Sequence, residues 1–245
     1  MTDHGNSSMP HIIPDQPARS HPAATLRGRP VAAVLFDLDG TLVETDDETV
    51  ARLARRLAPL RSLLPRRDLQ RAARHLADWI NEHFNIGLAV LDWLKLDEPA
   101  QRLARRWGLI SENSPGHPLV PVAGTVALVH ALYGHYLLGI VSTRTAAEVQ
   151  VYLEQQGLAG YFAVVAGSDS TARIKPHPQP ILWAAGRLGV SPENVVMVGD
   201  TEADVRSAQA AGALAVGVLC GFGDRADLKQ ADLVLASAAD LAGWL

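Results

Sequence analysis

Val31-Ala-Ala-Val-Leu-Phe-Asp-Leu-Asp-Gly-Thr-Leu-Val43 is the stretch on which the fold turns. Its first six residues are apolar without a break, and the run stops at Asp37. A strand with one wet face alternates apolar and polar side chains. A strand covered on both faces, as in a parallel sheet, does not. The stretch therefore predicts a buried parallel strand over 31–36, with Asp37, Asp39, Gly40 and Thr41 at its carboxyl end.

Similar apolar runs occur at 136–141, 161–165, 194–198, 213–219 and 233–235. Between most of them the apolar residues fall at helical spacing, over 125–132, 146–156, 178–188 and 204–211. Gly157 gives the second of these a stop signal. Strand alternating with helix predicts an α/β fold, a doubly wound parallel sheet with helices on both faces.

The stretch 44–118 breaks the alternation. Val50, Leu53, Leu57 and Leu60 keep helical spacing, as do the apolar residues of 68–84 and 99–109. Pro59, Pro65, Gly87 and Pro99 punctuate them. We expect an inserted α-helical domain there, splitting an α/β core made of 30–43 and 119–245. Eight arginines stand between Arg52 and Arg74 against one acid, Asp68, and read as a solvated helix face. Trp79, Trp93 and Trp107 read as the core of that insert. Residues 1–29, interrupted by Pro10, Pro14, Pro17 and Pro22, read as a flexible tail.

Composition excludes several functions. The 245 residues are 48% hydrophobic and 20% charged, unlike a chain disordered throughout. A net charge of -4 gives no global basic field for nucleic acid. The single cysteine, Cys220, rules out an intramolecular disulfide and a cysteine-built zinc site, and reads as a buried small hydrophobe. A reducing cytoplasm is the expected location. No apolar run nears the roughly 18 residues of a membrane span, so no membrane partner is expected.

Sites in open α/β sheets form beyond the carboxyl ends of the strands. There this sequence places Asp37, Asp39, Gly40 and Thr41, then Ser142 and Thr143, then Lys175, then Asp200 with Asp204 four residues on. Gathered carboxylates repel one another unless a cation intervenes. An all-oxygen set without thiolate suits Mg²⁺, which binds through few carboxylates plus substrate phosphate. A carboxylate can attack phosphorus to give an aspartyl-phosphate. A second acid can protonate the leaving oxygen and then activate water. Gly40 lets backbone N–H groups approach a phosphate, Ser142 can donate to a phosphoryl oxygen, and Lys175 can offset its charge.

The residues resemble those of the haloacid dehalogenase superfamily. Four motifs stand in order: Phe36-Asp-Leu-Asp-Gly-Thr-Leu-Val43, Ile140-Val-Ser142, Lys175 in Lys-Pro-His-Pro178, and Val198-Gly-Asp-Thr-Glu-Ala-Asp204. The likeness extends through Pro121-Val-Ala-Gly124 and Gly221-Phe-Gly223 and covers roughly 31–245. It implies that Asp37 is the nucleophile and Asp39 the general acid/base, with Lys175 as the catalytic cation. It implies Mg²⁺ on the Asp37 carboxylate, the Asp39 main-chain carbonyl and Asp200. Gly40, Thr41, Ser142, Thr143 and Lys175 would bind the phosphoryl group. Asp204 would support the metal shell or orient Lys175. The helical insert would be a mobile cap. A cap after the first motif looks like the branch of phosphoglycolate phosphatases, pyrophosphatases and β-phosphoglucomutases. Relatives usually carry Thr-Asn at the second motif, where this chain has Ser142-Thr143 followed by Arg144.

The implied activity is Mg²⁺-dependent hydrolysis of a small phosphorylated metabolite, phosphoglycolate first, by a monomer or homodimer. A phosphomutase or an inorganic pyrophosphatase is the alternative, and a phospho-accepting signalling module a remote one. The mutase branch carries a hinge histidine, and 44–50 has none. The signalling module is disfavoured because Asp37 and Asp39 share one turn.

Overall fold

Each of the six apolar runs contributes a strand to one sheet. The computed structural model describes residues 25–44 and 119–245. A two-residue hairpin, β1 (Thr25–Leu26) and β2 (Arg29–Pro30), precedes the central strand β3 (Ala33–Phe36). Then follow α1 (Thr125–Leu132), β4 (Leu137–Val141), α2 (Ala146–Gln155) and β5 (Val164–Ala166). The second half contains α3 (Gln179–Leu188), β6 (Val195–Gly199), α4 (Glu202–Ala211), β7 (Leu214–Val218) and β8 (Leu233–Leu235).

The six long-range strands run in the order β5-β4-β3-β6-β7-β8, each parallel to its neighbours. Phe36 lies level with Ile140 on one side and Val198 on the other, so the residues that follow all three emerge on one rim. The chain builds outward from β3 to β5, then crosses back to β6. The winding thus reverses at β3, where ligands bind in such sheets.

The two faces of β3 show why its run is unbroken. Val34 and Phe36 join a core with Leu128, Val129 and Leu132 of α1 and Val149, Tyr152 and Leu153 of α2. Ala33 and Leu35 join a second core with Ile181, Ala184 and Ala185 of α3 and Val205 and Ala208 of α4. All four β3 side chains are fully buried. Burying a Leu- or Phe-sized side chain stabilises by about 1.5–3 kcal/mol, and this rigid centre fixes Asp37.

The described part of the stretch expected as a flexible tail, from residue 25 on, is regular structure. Residues 25–30 form the hairpin, turned by Arg27 and Gly28 at φ 53° and 77°, with Leu26 buried. Arg27 donates to the carbonyl of Asp232, and Arg29 to those of Glu193 and Gly212. Residues 1–24 lie outside the described residues, as does 45–118, where the helical insert is expected. The chain leaves and re-enters at one place. Glu44 N–H donates to Val120 O at 2.8 Å, and Val122 N–H to Leu42 O at 2.9 Å.

Candidate active site

Asp37 is the first residue beyond β3, and its N–H still belongs to the sheet, donating to Val198 O at 2.8 Å. Its side chain folds back onto its own turn, where Oδ1 accepts from Leu38 N–H at 2.7 Å. Gly40, at φ 76°, completes that turn, with its N–H on Val43 O. A Cβ on Gly40 would run into the Asp200 carboxylate, and so would one on Gly221. Glycine at both positions lets backbone close around Asp200. Asp200 Oδ2 accepts from Phe222 N–H at 2.7 Å, while Thr41 Oγ1 lies 3.4 Å from its Oδ1.

Lys175 arrives from the loop after β5. His177 N–H on Ile174 O and Ser207 Oγ on His177 O tie that loop to itself and to α4. The Lys175 ammonium sits between two carboxylates, 2.9 Å from Asp37 Oδ1 and 2.6 Å from Asp204 Oδ1. Asp204 also closes a capping box at the start of α4. Its Oδ2 accepts from Thr201 N–H at 3.1 Å and from Thr201 Oγ1 at 2.6 Å. One residue therefore starts a helix and aims a lysine.

Asp37, Asp200 and Asp204 each bring a carboxylate oxygen within 4.8 Å of the others. Asp204, expected to support the metal shell or orient Lys175, is bonded to the Lys175 ammonium and lies within reach of the other two carboxylates. The Asp39 carboxylate turns elsewhere. Arg144 Nε donates to its Oδ2 and Arg144 Nη2 to its Oδ1, both at 2.7 Å. Ser142 follows β4, buried, and its Oγ accepts from Arg144 N–H at 3.1 Å. Thr143 is half-buried on the same turn. Cys220 is half-buried rather than buried, with its thiol donating to Gly40 O at 3.3 Å.

Sequence reasoning missed the Arg144 fork and the two main-chain donors of the Gly221–Gly223 loop. The Thr201-x-x-Asp204 spacing was a readable signal for the cap.

Charge dominates this site. Burial pushes the Asp37 carboxyl up to about 7 against the opposing pull of Lys175, with Asp204 and Asp39 adding to the rise. Burial alone would lower Lys175, but Asp204 and Asp37 outweigh it and hold the ammonium protonated. With all four carboxylates ionised, Asp37, Asp39, Asp200 and Asp204 exceed the Lys175 and Arg144 cations by two negative charges. A divalent cation fits that excess, and the donors are all oxygen, as Mg²⁺ prefers.

A raised carboxyl pKa makes stability depend on pH. Protonation of Asp37 favours the fold, so its contribution is complete below about pH 4 and is lost as pH rises through about 7. In EDTA, wild-type protein should lose stability relative to Asp37→Asn between pH 5 and 8, by an amount on the order of a few kcal/mol. Denaturant titrations of both proteins at the two pH values would measure it. A constant difference would contradict the assignment.

A family model, haloacid dehalogenase-like hydrolase, matches residues 34–218. The phosphoglycolate phosphatase of Escherichia coli (strain K12) is 30% identical over 235 residues, covering 86% of this chain and 91% of that protein. Among solved structures, a predicted phosphoglycolate phosphatase from Haemophilus somnus superposes with a TM-score of 0.62 at 23% identity, covering 87% of this chain and 97% of that one. A β-phosphoglucomutase from Clostridium difficile does so at 0.57 and 23%, covering 86% and 93%. At that identity the structural likeness speaks for the fold alone. The chain belongs to the haloacid dehalogenase-like hydrolases. Within them it is a phosphoric monoester hydrolase. Among the described residues no helix is long and apolar enough to cross a membrane.

Proposed function

We propose that the protein hydrolyses a small phosphorylated metabolite, phosphoglycolate first, with Mg²⁺ and through an aspartyl-phosphate on Asp37. The observation that carries this reading is the Asp37 carboxylate held between a protonated lysine and a carboxylate cluster. The 30% identity to a phosphoglycolate phosphatase over most of both chains supports the choice of substrate.

Asp37, Asp200 and the Asp39 main-chain carbonyl would hold Mg²⁺, with Asp204 in reach. The bound ion would draw phosphate into the carboxylate cluster and neutralise its charge. Asp37 attacks phosphorus, a new P–O bond forms, and the ester P–O bond breaks. Asp39, released from Arg144 and carrying a proton, gives it to the departing oxygen. Water then attacks the aspartyl-phosphate, Asp39 takes its proton, and Asp37 returns as phosphate leaves. Lys175, Ser142 and Thr143 hold the phosphoryl oxygens, with the Gly40–Thr41 turn closing beneath them.

Residues 44–118 form the helical cap on this reading. The paired main-chain bonds of Glu44 with Val120 and of Val122 with Leu42 support an insertion that starts and ends at one hinge.

Phosphate release should be assayed over phosphoglycolate, pyrophosphate, sugar phosphates and nucleotides with Mg²⁺ and with excess EDTA. Turnover of phosphoglycolate that EDTA abolishes is expected. Full activity in EDTA would contradict the metal assignment. Glucose 6-phosphate formed from β-glucose 1-phosphate and a bisphosphate primer would favour the mutase.

A further inference from the structure

The fork between Arg144 and Asp39 is the open part of a closed site. Their side chains keep 22% and 29% of their exposure, whereas those of Lys175 and Asp204 keep 4% and 2%. Both guanidinium–carboxylate bonds are 2.7 Å long, the two-point geometry that any carboxylate of the same shape can satisfy. The root of Arg144 is fixed on both sides. Its N–H is bonded to Ser142 Oγ, and Thr145 caps α2 in a capping box with Glu148. The side chain can therefore change partner while its backbone stays in place.

Asp39 is the acid that serves the ester oxygen in the proposed reaction. A guanidinium bonded to both oxygens of Asp39 stands beside whatever that acid serves.

We propose that Arg144 determines leaving-group specificity by releasing Asp39 to take a carboxylate carried by the substrate. The inference rests on the phosphatase reading and narrows it. The site would select short phosphorylated acids, with the carboxylate one or two carbons from the ester oxygen. The exchange replaces one carboxylate on Arg144 by another, so the guanidinium keeps a partner while Asp39 is freed. A neutral leaving group must open the fork and put nothing in its place. That difference is worth roughly 10²-fold in favour of the acid.

Phosphoglycolate and ethyl phosphate differ only by a carboxylate in place of a methyl group, and kcat/KM for both decides the matter. Wild type should prefer phosphoglycolate by roughly 10²-fold. The ratio should collapse to within a few-fold of unity in Arg144→Ala and be partly restored in Arg144→Lys. Equal losses on both esters, with the ratio intact, would overturn the proposal and leave Arg144 as a prop for Asp39.

Calorimetry on Asp37→Asn with Mg²⁺ removes turnover from the question. Adding Arg144→Ala to that protein should weaken phosphoglycolate by roughly 10- to 100-fold relative to inorganic phosphate. Unchanged relative affinity would also overturn the proposal. A wild type that hydrolyses neither ester contradicts phosphoglycolate as the substrate, while the calorimetric ratio judges Arg144 independently.

Discussion

Asp37→Asn should stop turnover and, without a divalent cation, leave a more stable protein. The amide keeps the size of the side chain, and its oxygen can still accept from Leu38 N–H and Lys175. It cannot attack phosphorus, and removing a nucleophile costs on the order of 10⁴- to 10⁶-fold in kcat. The stability gain has the same origin as the raised carboxyl pKa, because a buried anion beside Asp204 and Asp39 is replaced by a neutral group. Function and stability are opposed at this residue. Steady-state phosphate release and denaturant unfolding in EDTA at pH 8 test the two halves. Turnover retained within tenfold, or a protein less stable than wild type, would contradict this account.

Lys175→Ala has the second large effect, and its sign on stability is opposite. The ammonium is bonded to Asp37 at 2.9 Å and Asp204 at 2.6 Å, both buried. Removing it leaves two carboxylates facing each other without that cation. Deleting one partner of a buried ion pair costs about 3–5 kcal/mol. In EDTA at pH 8 the variant should therefore unfold at much lower denaturant than wild type. Lowering the pH to 5 or adding Mg²⁺ should recover part of the loss, since protonation or a new cation relieves the repulsion. Lys175→Met, which keeps the stem and drops the charge, should behave alike if charge rather than packing is responsible. Turnover should fall by roughly 10²- to 10³-fold or more, the cost of losing one donor to the transferring group. An unchanged denaturation midpoint in EDTA would contradict the ion-pair arrangement.

The sheet was legible because its strands are buried on both faces. Val31 to Phe36 is apolar throughout since Val34 and Phe36 face one core while Ala33 and Leu35 face the other. The helix over 125–132 was read at its true ends, and strand ends slipped by a few residues where apolar side chains continue past the ladder. The hairpin at 25–30 was not legible. Its turn is an arginine followed by glycine, and its anchors are carbonyls 164 to 205 positions away. Residue types named Asp37, Asp39 and Asp200, which follow strands whose ends share one rim, whereas Asp204, inside α4, was read only in a supporting role. Which carboxylate faces which partner was hidden. Asp39 turns to Arg144, 105 positions along the chain, and nothing in its own turn foretells that.

The central claim is that Asp37 carries the phosphoryl group. Wild-type protein in excess should be mixed with phosphoglycolate and Mg²⁺, quenched within one turnover, and reduced with borohydride. Peptide mass spectrometry then locates the trapped acyl phosphate. The account predicts reduction of Asp37 to homoserine, absent without substrate. Turnover in the same mixture with Asp37 unmodified, or reduction at Asp39, Asp200 or Asp204 instead, would contradict it.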